Sequence, residues 1–172
     1  MQGQSKRSDS GPRGWFPQPG VPGEGKAEMI RGGAESEPSP QVGTVAVSVA
    51  AQAAMLPMLR SVAETVLLTA DFTIDVVTDV RVAIDEVATA FVMAAALGSE
   101  IACELRYDRH QIDVEISGLT RTRALLRGDS LSRTLLESVT DELDIGEGTG
   151  RADTYSYLTV VRFSRRRSRH EG

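Results

Sequence analysis

The sequence predicts an α+β fold, a two-layer sandwich in which helices cover one face of a mixed or antiparallel sheet. Alternating apolar residues, typical of strands, occur in some segments, and apolar residues spaced three and four apart, typical of helices, occur in others. Along the chain these segments follow the order β-α-α-β-β-α-β-β. Apolar residues make up 41% and charged residues 25%, values near globular averages that exclude wholesale disorder.

The first 43 residues have a different composition from the rest. They contain six of the seven prolines and nine of the 16 glycines, and Trp15 and Phe16 are their large aromatic residues. Such a segment cannot bury enough apolar surface to offset the entropy lost on ordering. Residues 1–43 are therefore predicted to be a disordered Gly/Pro-rich extension, and the folded domain is predicted to span 44–163.

The domain is predicted to begin with a strand and two helices. Val45, Val47 and Val49 alternate with small residues and predict the strand. Residues 51–69 have helical apolar spacing, with Pro57 tolerated near the first turns. Asp71 or Thr73 is predicted to start a new element, and a long helix is predicted from a cap at Asp75 to about residue 97, where Gly98 ends it. Its apolar stripe consists of Val77, Val80, Ile84, Val87, Phe91 and Ala94.

The second half of the domain is predicted to be mostly strands. Residues 101–107 and 111–117 form a hairpin around a turn at 108–110, and Cys103 is expected to be a small core residue. After a polar loop, Asp129 or Ser130 caps a short helix. One side of this helix is predicted to be apolar and to carry Leu131, Leu135, Leu136 and Val139. Residues 141–146 are predicted to be a strand, 147–150 a turn and 154–163 the final strand.

Several site classes are excluded by residue counts. One cysteine, Cys103, cannot form an internal disulfide or a two-cysteine metal site, and His110 and His170 are too few for a histidine-rich site. No apolar run reaches the 18 residues of a membrane helix. Lys6 and Arg7 are not followed by the apolar core of a secretory signal. A cytoplasmic protein with no membrane partner is expected.

The charge is distributed unevenly. The net charge is −5, but residues 1–43 are neutral and residues 162–172 carry +4, so the stretch 44–161 carries −9. An acidic domain repels nucleic acid phosphates and favours a basic protein partner. The basic tail at 164–172 leaves open a second interpretation, a nucleic-acid-associated protein that uses its arginines.

The segment from Asp79 to Ala90, DVRVAIDEVATA, follows a strand and a helix that contains Leu59-Arg60. It resembles the serine-kinase-type anti-sigma factors, a family of the histidine-kinase-like ATPase superfamily with the Bergerat fold. The actinobacterial anti-sigma F factor branch is the most similar. The resemblance extends over about residues 44–163 and includes the LLESVTDEL segment at 135–143 and the final strand.

This resemblance implies a role for each matching position. Glu86 matches the general base that takes a proton from a partner's serine. Ala90 stands where the family has the asparagine that ligates Mg²⁺, and a methyl group cannot coordinate a cation. Ile116 replaces the adenine-binding aspartate of an Asp-x-Gly-x-Gly turn. Gly118 and Gly128 are the remaining candidates for cofactor-binding glycines, and no metal site is assigned.

Two functions follow from the resemblance. The first is an anti-sigma factor that sequesters an RNA polymerase sigma factor and is released by an anti-anti-sigma factor, with ATP and Mg²⁺ binding weakened or lost. The second is an active ATP-dependent serine/threonine kinase that uses Glu86 on its antagonist. Arg60 matches an arginine with which the family contacts its partner. A second copy of the chain, in a homodimer, is also expected as a partner.

Overall fold

The computed structural model describes residues 42–126, 130–151 and 156–167, with side chains omitted for 147–151. Residues 1–41 lie outside this part, so the predicted extension is not tested by it. The element order is the predicted one. The elements are β1 (Gly43–Ala50), α1 (Leu56–Thr69), α2 (Ile74–Ala94), β2 (Glu100–Tyr107), β3 (Gln111–Thr120), α3 (Leu131–Val139), β4 (Glu142–Arg151) and β5 (Ser156–Arg166).

The five strands form one sheet in the order β1-β2-β3-β5-β4. Every pairing between neighbours is antiparallel. Alternate residues of β3 are fully buried and face the helix layer, while the residues between them are half-buried. The predicted α+β sandwich is therefore confirmed, and its sheet is purely antiparallel.

The core lies between the sheet and α1 and α2. Helix α2 contributes the buried stripe that the sequence predicts, including Val80, Ile84, Val87 and Phe91. From the sheet, Leu105, Ile112 and Ile116 meet this stripe with no exposed surface. The thiol of Cys103 is buried, as predicted, and burial raises its pKa to about 12.

Helix α1 ends at Thr69 as predicted but begins later, and α2 begins and ends earlier than predicted. A short 3₁₀ turn at Ala53–Met55 precedes α1, which starts at Leu56 with Pro57 in its first turn. Thr73, not Asp75, is the residue that precedes α2 in extended conformation. Helix α2 ends at Ala94 because the next residues pair with the end of β3, the N–H of Ala96 donating to the Leu119 carbonyl at 3.0 Å.

The predicted turn at 147–150 was wrong. These residues continue β4, whose pairing with β5 shifts register between Gly146 and Thr149. A β-bulge of this kind absorbs an irregular, glycine-rich segment without ending the strand. Strand β5 runs to Arg166, three residues beyond the predicted end of the domain.

Two smaller features complete the outer elements. Ser130 caps α3, its Oγ accepting from the N–H of Arg133 at 3.2 Å, as one of the two alternatives had it. Leu131 was wrongly placed on the buried side of α3. It lies in the first turn and is exposed, whereas Leu136 is fully buried. Within the described residues, no helix has the length and apolar character needed to cross a membrane.

Candidate functional site

Glu86 lies on a flank of α2 beside the buried stripe. Thr89, Ala90, Met93 and Ala94 follow it on the same flank, because residues three, four, seven and eight positions apart share a helix face. Glu86, Thr89 and Ala90 are half-buried, while Met93 is 75% exposed. The flank therefore presents one carboxylate at its start and an apolar surface along the next two turns.

This flank forms one wall of a cavity of about 560 Å³. The chain after β3 and the start of α3 form the other wall. The lining residues on that side are Arg121, Thr122, Ala124, Leu125, Leu126, Ser130 and Ser132. Of these lining residues, the sequence analysis singled out Glu86 and Ala90. Met93 was missed, although its spacing of seven residues from Glu86 puts it on the same helix face.

Backbone contacts hold the two walls together. The N–H of Arg121 donates to the Ala94 carbonyl at 2.7 Å, and Arg121 Nη2 donates to the Met93 carbonyl at 3.2 Å. Both carbonyls belong to the last turn of α2, where helical partners are missing. At the end of β3, the hydroxyls of Thr120 and Thr159 share a buried hydrogen bond of 2.9 Å. The end of α2 is thus held against the end of β3 and the chain that follows it.

The chemistry of the lining differs from that of a metal-nucleotide site. Among the lining residues that the structure describes, Glu86 is the one carboxylate and Arg121 the one cation. No cluster of three or more histidine, cysteine or acidic side chains suited to a metal ion occurs in the described residues. Ala90 places a methyl group one helical turn after Glu86. Mg²⁺ bound with a nucleotide needs oxygen ligands from the protein beside the phosphates. In the described part of the lining Glu86 is the one carboxylate, and the methyl group of Ala90 supplies no second ligand, so these residues are a poor fit for Mg²⁺.

Ile116 and Gly118 lie outside the lining of this cavity. Ile116 is fully buried on β3 between Cys103 and Val161, where it packs in the core. A Cβ on Gly118 would lie 3.0 Å from the Glu100 carbonyl oxygen and 3.2 Å from Phe91 Cδ1. Gly118 therefore allows α2 to approach the sheet closely. Gly128 lies outside the described residues.

Arg60 lies on α1 and faces α2. Its Nε is 3.3 Å from Asp85 Oδ1, an ion pair without hydrogen-bond geometry, and about 38% of its side chain is exposed. Arg81 pairs with Glu64 of α1 at 3.5 Å. Helix spacing would also allow Arg81 to pair with Asp85 along α2, but the neighbouring helix offers each of them an opposite charge.

Three arginines near the end of β5 have partners within the domain. Arg162 Nε donates to Glu115 Oε2 at 2.8 Å, and Arg165 lies 2.9 Å from Asp79 and 3.2 Å from Asp141. Arg167 stacks on the Phe72 ring, its Cζ 4.0 Å from the centroid. The arginines that the nucleic-acid interpretation would use to bind phosphates thus have contacts within the domain at these three positions. Arg169 lies outside the described residues.

Comparison with known proteins gives a structural neighbour. No family model matches the chain, and no curated protein matches it. The crystal structure of the RsbU and RsbW domains of Rv1364c from Mycobacterium tuberculosis is similar, with a TM-score of 0.54 and 18% identity over 74% of this chain. The predicted α+β fold is therefore shared with this neighbour. This chain spans about a third of that neighbour, 33% of its length.

Proposed function

We propose that this chain is an anti-sigma factor that sequesters a sigma factor in the cytoplasm and is released by an anti-anti-sigma partner. We also propose that its ATP-dependent kinase activity is weak or lost. The observation that carries this proposal is the lining of the cavity, where Glu86 is followed one turn later by the methyl group of Ala90. The described lining thus keeps the carboxylate of Glu86 and has no Mg²⁺ ligand at position 90, which supports the proposal.

The fold supports the anti-sigma assignment. RsbW is an anti-sigma factor of the kinase type. An RsbW-type fold, together with the Asp79–Ala90 segment, favours the same class for this chain. The −9 charge of residues 44–161 favours a partner with a basic surface. Sigma factors have such surfaces because they contact promoter DNA.

The kinase alternative is favoured by one observation, the position of Glu86 on the cavity wall. A general base there would need a phosphoryl donor held next to it. Phosphoryl transfer depends on a metal that bridges phosphates and on backbone groups that cradle their charge. Since the lining does not fit Mg²⁺, we infer that Glu86 alone cannot sustain this reaction at a useful rate.

The helix pair α1–α2 is the proposed sigma-binding surface. Arg60 is half-exposed there, and its ion pair with Asp85 holds the guanidinium on the surface without burying it. An exposed arginine that a partner desolvates is a common binding hot spot.

We expect Arg60→Ala to weaken sigma binding at least fivefold, about 1 kcal/mol, and to leave stability nearly unchanged. Arg133→Ala is the matched control, because it removes an ion pair of an equally exposed arginine that lies within α3 and outside this helix pair. The sigma factor is identified by co-purification from the native host and mass spectrometry. Its affinity is then measured by calorimetry with each purified variant. Equal affinities for wild type and Arg60→Ala would move the interface elsewhere.

A further inference from the structure

The ion pairs between α1 and α2 repeat one arrangement twice. On α1, Arg60 precedes Glu64 by four residues. On α2, Arg81 precedes Asp85 by the same spacing. Arg60 Nε lies 3.3 Å from Asp85 Oδ1, and one turn along the helices Arg81 Nη1 lies 3.5 Å from Glu64 Oε2. An approximate two-fold axis between the antiparallel helices relates the two pairs, and positive and negative charges alternate around this quartet.

The two arginines of the quartet form ion pairs but no hydrogen bond within the described residues. The Nε atoms of Arg60 and Arg81 are buried there without a hydrogen-bond partner. The four side chains are nevertheless between 38% and 43% exposed. On α3, by contrast, Arg133 donates from Nε to Glu137 at 2.8 Å. Since a guanidinium has five donors and binds a carboxylate through two of them, a partner's carboxylate can gain hydrogen bonds at the quartet without displacing others.

Two exposed apolar side chains continue this surface toward the connection between the helices. Leu68 follows Glu64 by four residues on α1, so it lies on the helix face that carries the quartet. Ile74 precedes Arg81 by seven residues, which is two turns of α2. Leu68 is 46% and Ile74 67% exposed. Burying apolar side chains supplies affinity, while charged groups beside them fix the register of a partner. The α1–α2 face offers both.

The spacing of the quartet fits a helix as its occupant. The two ion pairs lie one helical turn apart, which is about 5–6 Å. A partner helix aligned with α1 and α2 places residues four positions apart at this same separation. The quartet itself has no net charge, so it selects a partner by the order of the partner's charges. The charge of −9 on residues 44–161 selects a partner by sign alone.

We propose that Glu64 and Arg81 form a second recognition pair beside Arg60, and that the quartet binds one helix of the sigma factor. That helix carries an acidic and a basic residue four positions apart, so that each meets an opposite charge of the quartet. It also carries an apolar residue that covers the two exposed apolar side chains. A helix with its charges in the opposite order places like charges together, which weakens binding. This proposal rests on the proposed function and extends its binding surface from one arginine to both ion pairs.

The first test exchanges the charges of the second pair. Glu64→Arg combined with Arg81→Glu keeps an ion pair between the helices and the net charge of the chain, but inverts the charges that the partner meets. We expect this double variant to bind the co-purified sigma factor at least tenfold more weakly than wild type in calorimetry. An ion pair with a purely structural role predicts wild-type affinity instead. The matched control is Arg133→Glu combined with Glu137→Arg, which exchanges the pair on α3 and should bind as wild type does.

The second test reads the apolar part of the surface and does not depend on the charge exchange. Ile74→Ala is expected to weaken sigma binding about fivefold or more, because it removes apolar surface that the partner helix covers. Its effect on the Tm should be small, since Ile74 is exposed. Leu131→Ala is the matched control, because Leu131 is an exposed apolar residue of α3. Wild-type affinity of the Ile74→Ala variant would overturn the placement of the partner helix.

The outcomes distinguish this proposal from the function on which it rests. A wild-type chain that binds no sigma factor would overturn both. If wild type binds and the double variant, folded by circular dichroism, binds equally well, the second recognition pair is wrong and the anti-sigma function stands. Light scattering of the chain alone covers the other occupant. A double variant with a changed mass and an unchanged sigma affinity would show that the face binds a second copy, which would overturn the proposal.

Discussion

Asp141 connects the end of β5 to the start of β4. Its Oδ2 accepts from the backbone N–H of Arg166 at 2.7 Å and from Arg165 Nη1 at 3.2 Å. The backbone hydrogen bond from Arg166, followed by the charge of Arg165, lowers the pKa of Asp141. A carboxyl group whose pKa is lower in the folded state stabilises the fold above its unfolded pKa of about 3.9. This stabilisation is lost as the pH falls through the folded value.

We therefore expect Asp141→Asn to lower the Tm by a few degrees at pH 7, with the difference from wild type closing as the pH falls through the lowered pKa of Asp141. Differential scanning calorimetry between pH 2.5 and 7 measures this. Asp144→Asn is the control, because Asp144 is 71% exposed and lies 3.7 Å from Arg162, so its Tm should match wild type. If the Tm of Asp141→Asn is still lower than that of wild type by the same amount at pH 2.5, the charge of Asp141 is not the cause of the destabilisation.

At the scale of single residues, the sequence predicted the position of Glu86 but not its surroundings. The resemblance suggested Glu86 and Ala90, and helical spacing, which is a local property, puts the two on one face of α2. Arg121 reaches the cavity because the end of β3 pairs with the end of α2, a contact between residues distant in sequence. The exchange of ion-pair partners between α1 and α2 has the same origin, since helix spacing alone favoured Arg81 with Asp85.

At the scale of the elements, the chain after β5 contacts the connection between α1 and α2. Beyond its last residue, Arg167 stacks on Phe72 and donates from Nη2 to the Ala70 carbonyl at 2.8 Å and from Nη1 to the Asp71 carbonyl. These carbonyls follow α1, where the helix leaves acceptors unsatisfied. Arg167 thereby attaches the end of the sheet to the connection between the two long helices.

Arg167→Ala should reduce the free energy of unfolding by about 1–2 kcal/mol, since it removes charge-assisted hydrogen bonds and a cation–π contact. Arg167→Lys should restore little of this, because an ammonium group cannot reach both carbonyls while stacked on the ring. Arg166→Ala is the matched control, with an exposed side chain on the neighbouring position. Urea denaturation measures all three. Equal stability of Arg167→Ala and Arg166→Ala would contradict the attachment.

The elements were predicted well where a periodic pattern continues without interruption. The α2 stripe and the hairpin of β2 and β3 follow from such patterns. The segments 95–97 and 147–150 were wrongly predicted because long-range pairing determines them. Ala95 forms an isolated bridge with Thr120, and Gly150 pairs with Tyr157. Local glycine content favoured a turn at 147–150, and the sheet overrode that preference.

For the whole molecule, we propose that the fold is retained while nucleotide binding is weak or lost. A ligand that binds the folded state alone stabilises it by RT ln(1 + [L]/Kd), about 2.7 kcal/mol at 100 times Kd. We expect no change in Tm with 5 mM Mg-ATP, because the cavity lining does not fit Mg²⁺. Differential scanning fluorimetry with and without Mg-ATP measures this. A rise of several degrees would mean that the cavity binds nucleotide despite Ala90.

The most direct test is binding of each sigma factor of the native host to the full chain, with and without Mg-ATP, together with radiolabelled ATP to detect phosphorylation of the anti-anti-sigma partner. The account predicts that one sigma factor binds with an affinity that Mg-ATP changes by less than about twofold, and that no label is transferred. Glu86→Ala should bind the sigma factor as wild type does. Binding to no sigma factor would contradict the account, as would Mg-ATP-dependent labelling of a partner serine that Glu86→Ala abolishes.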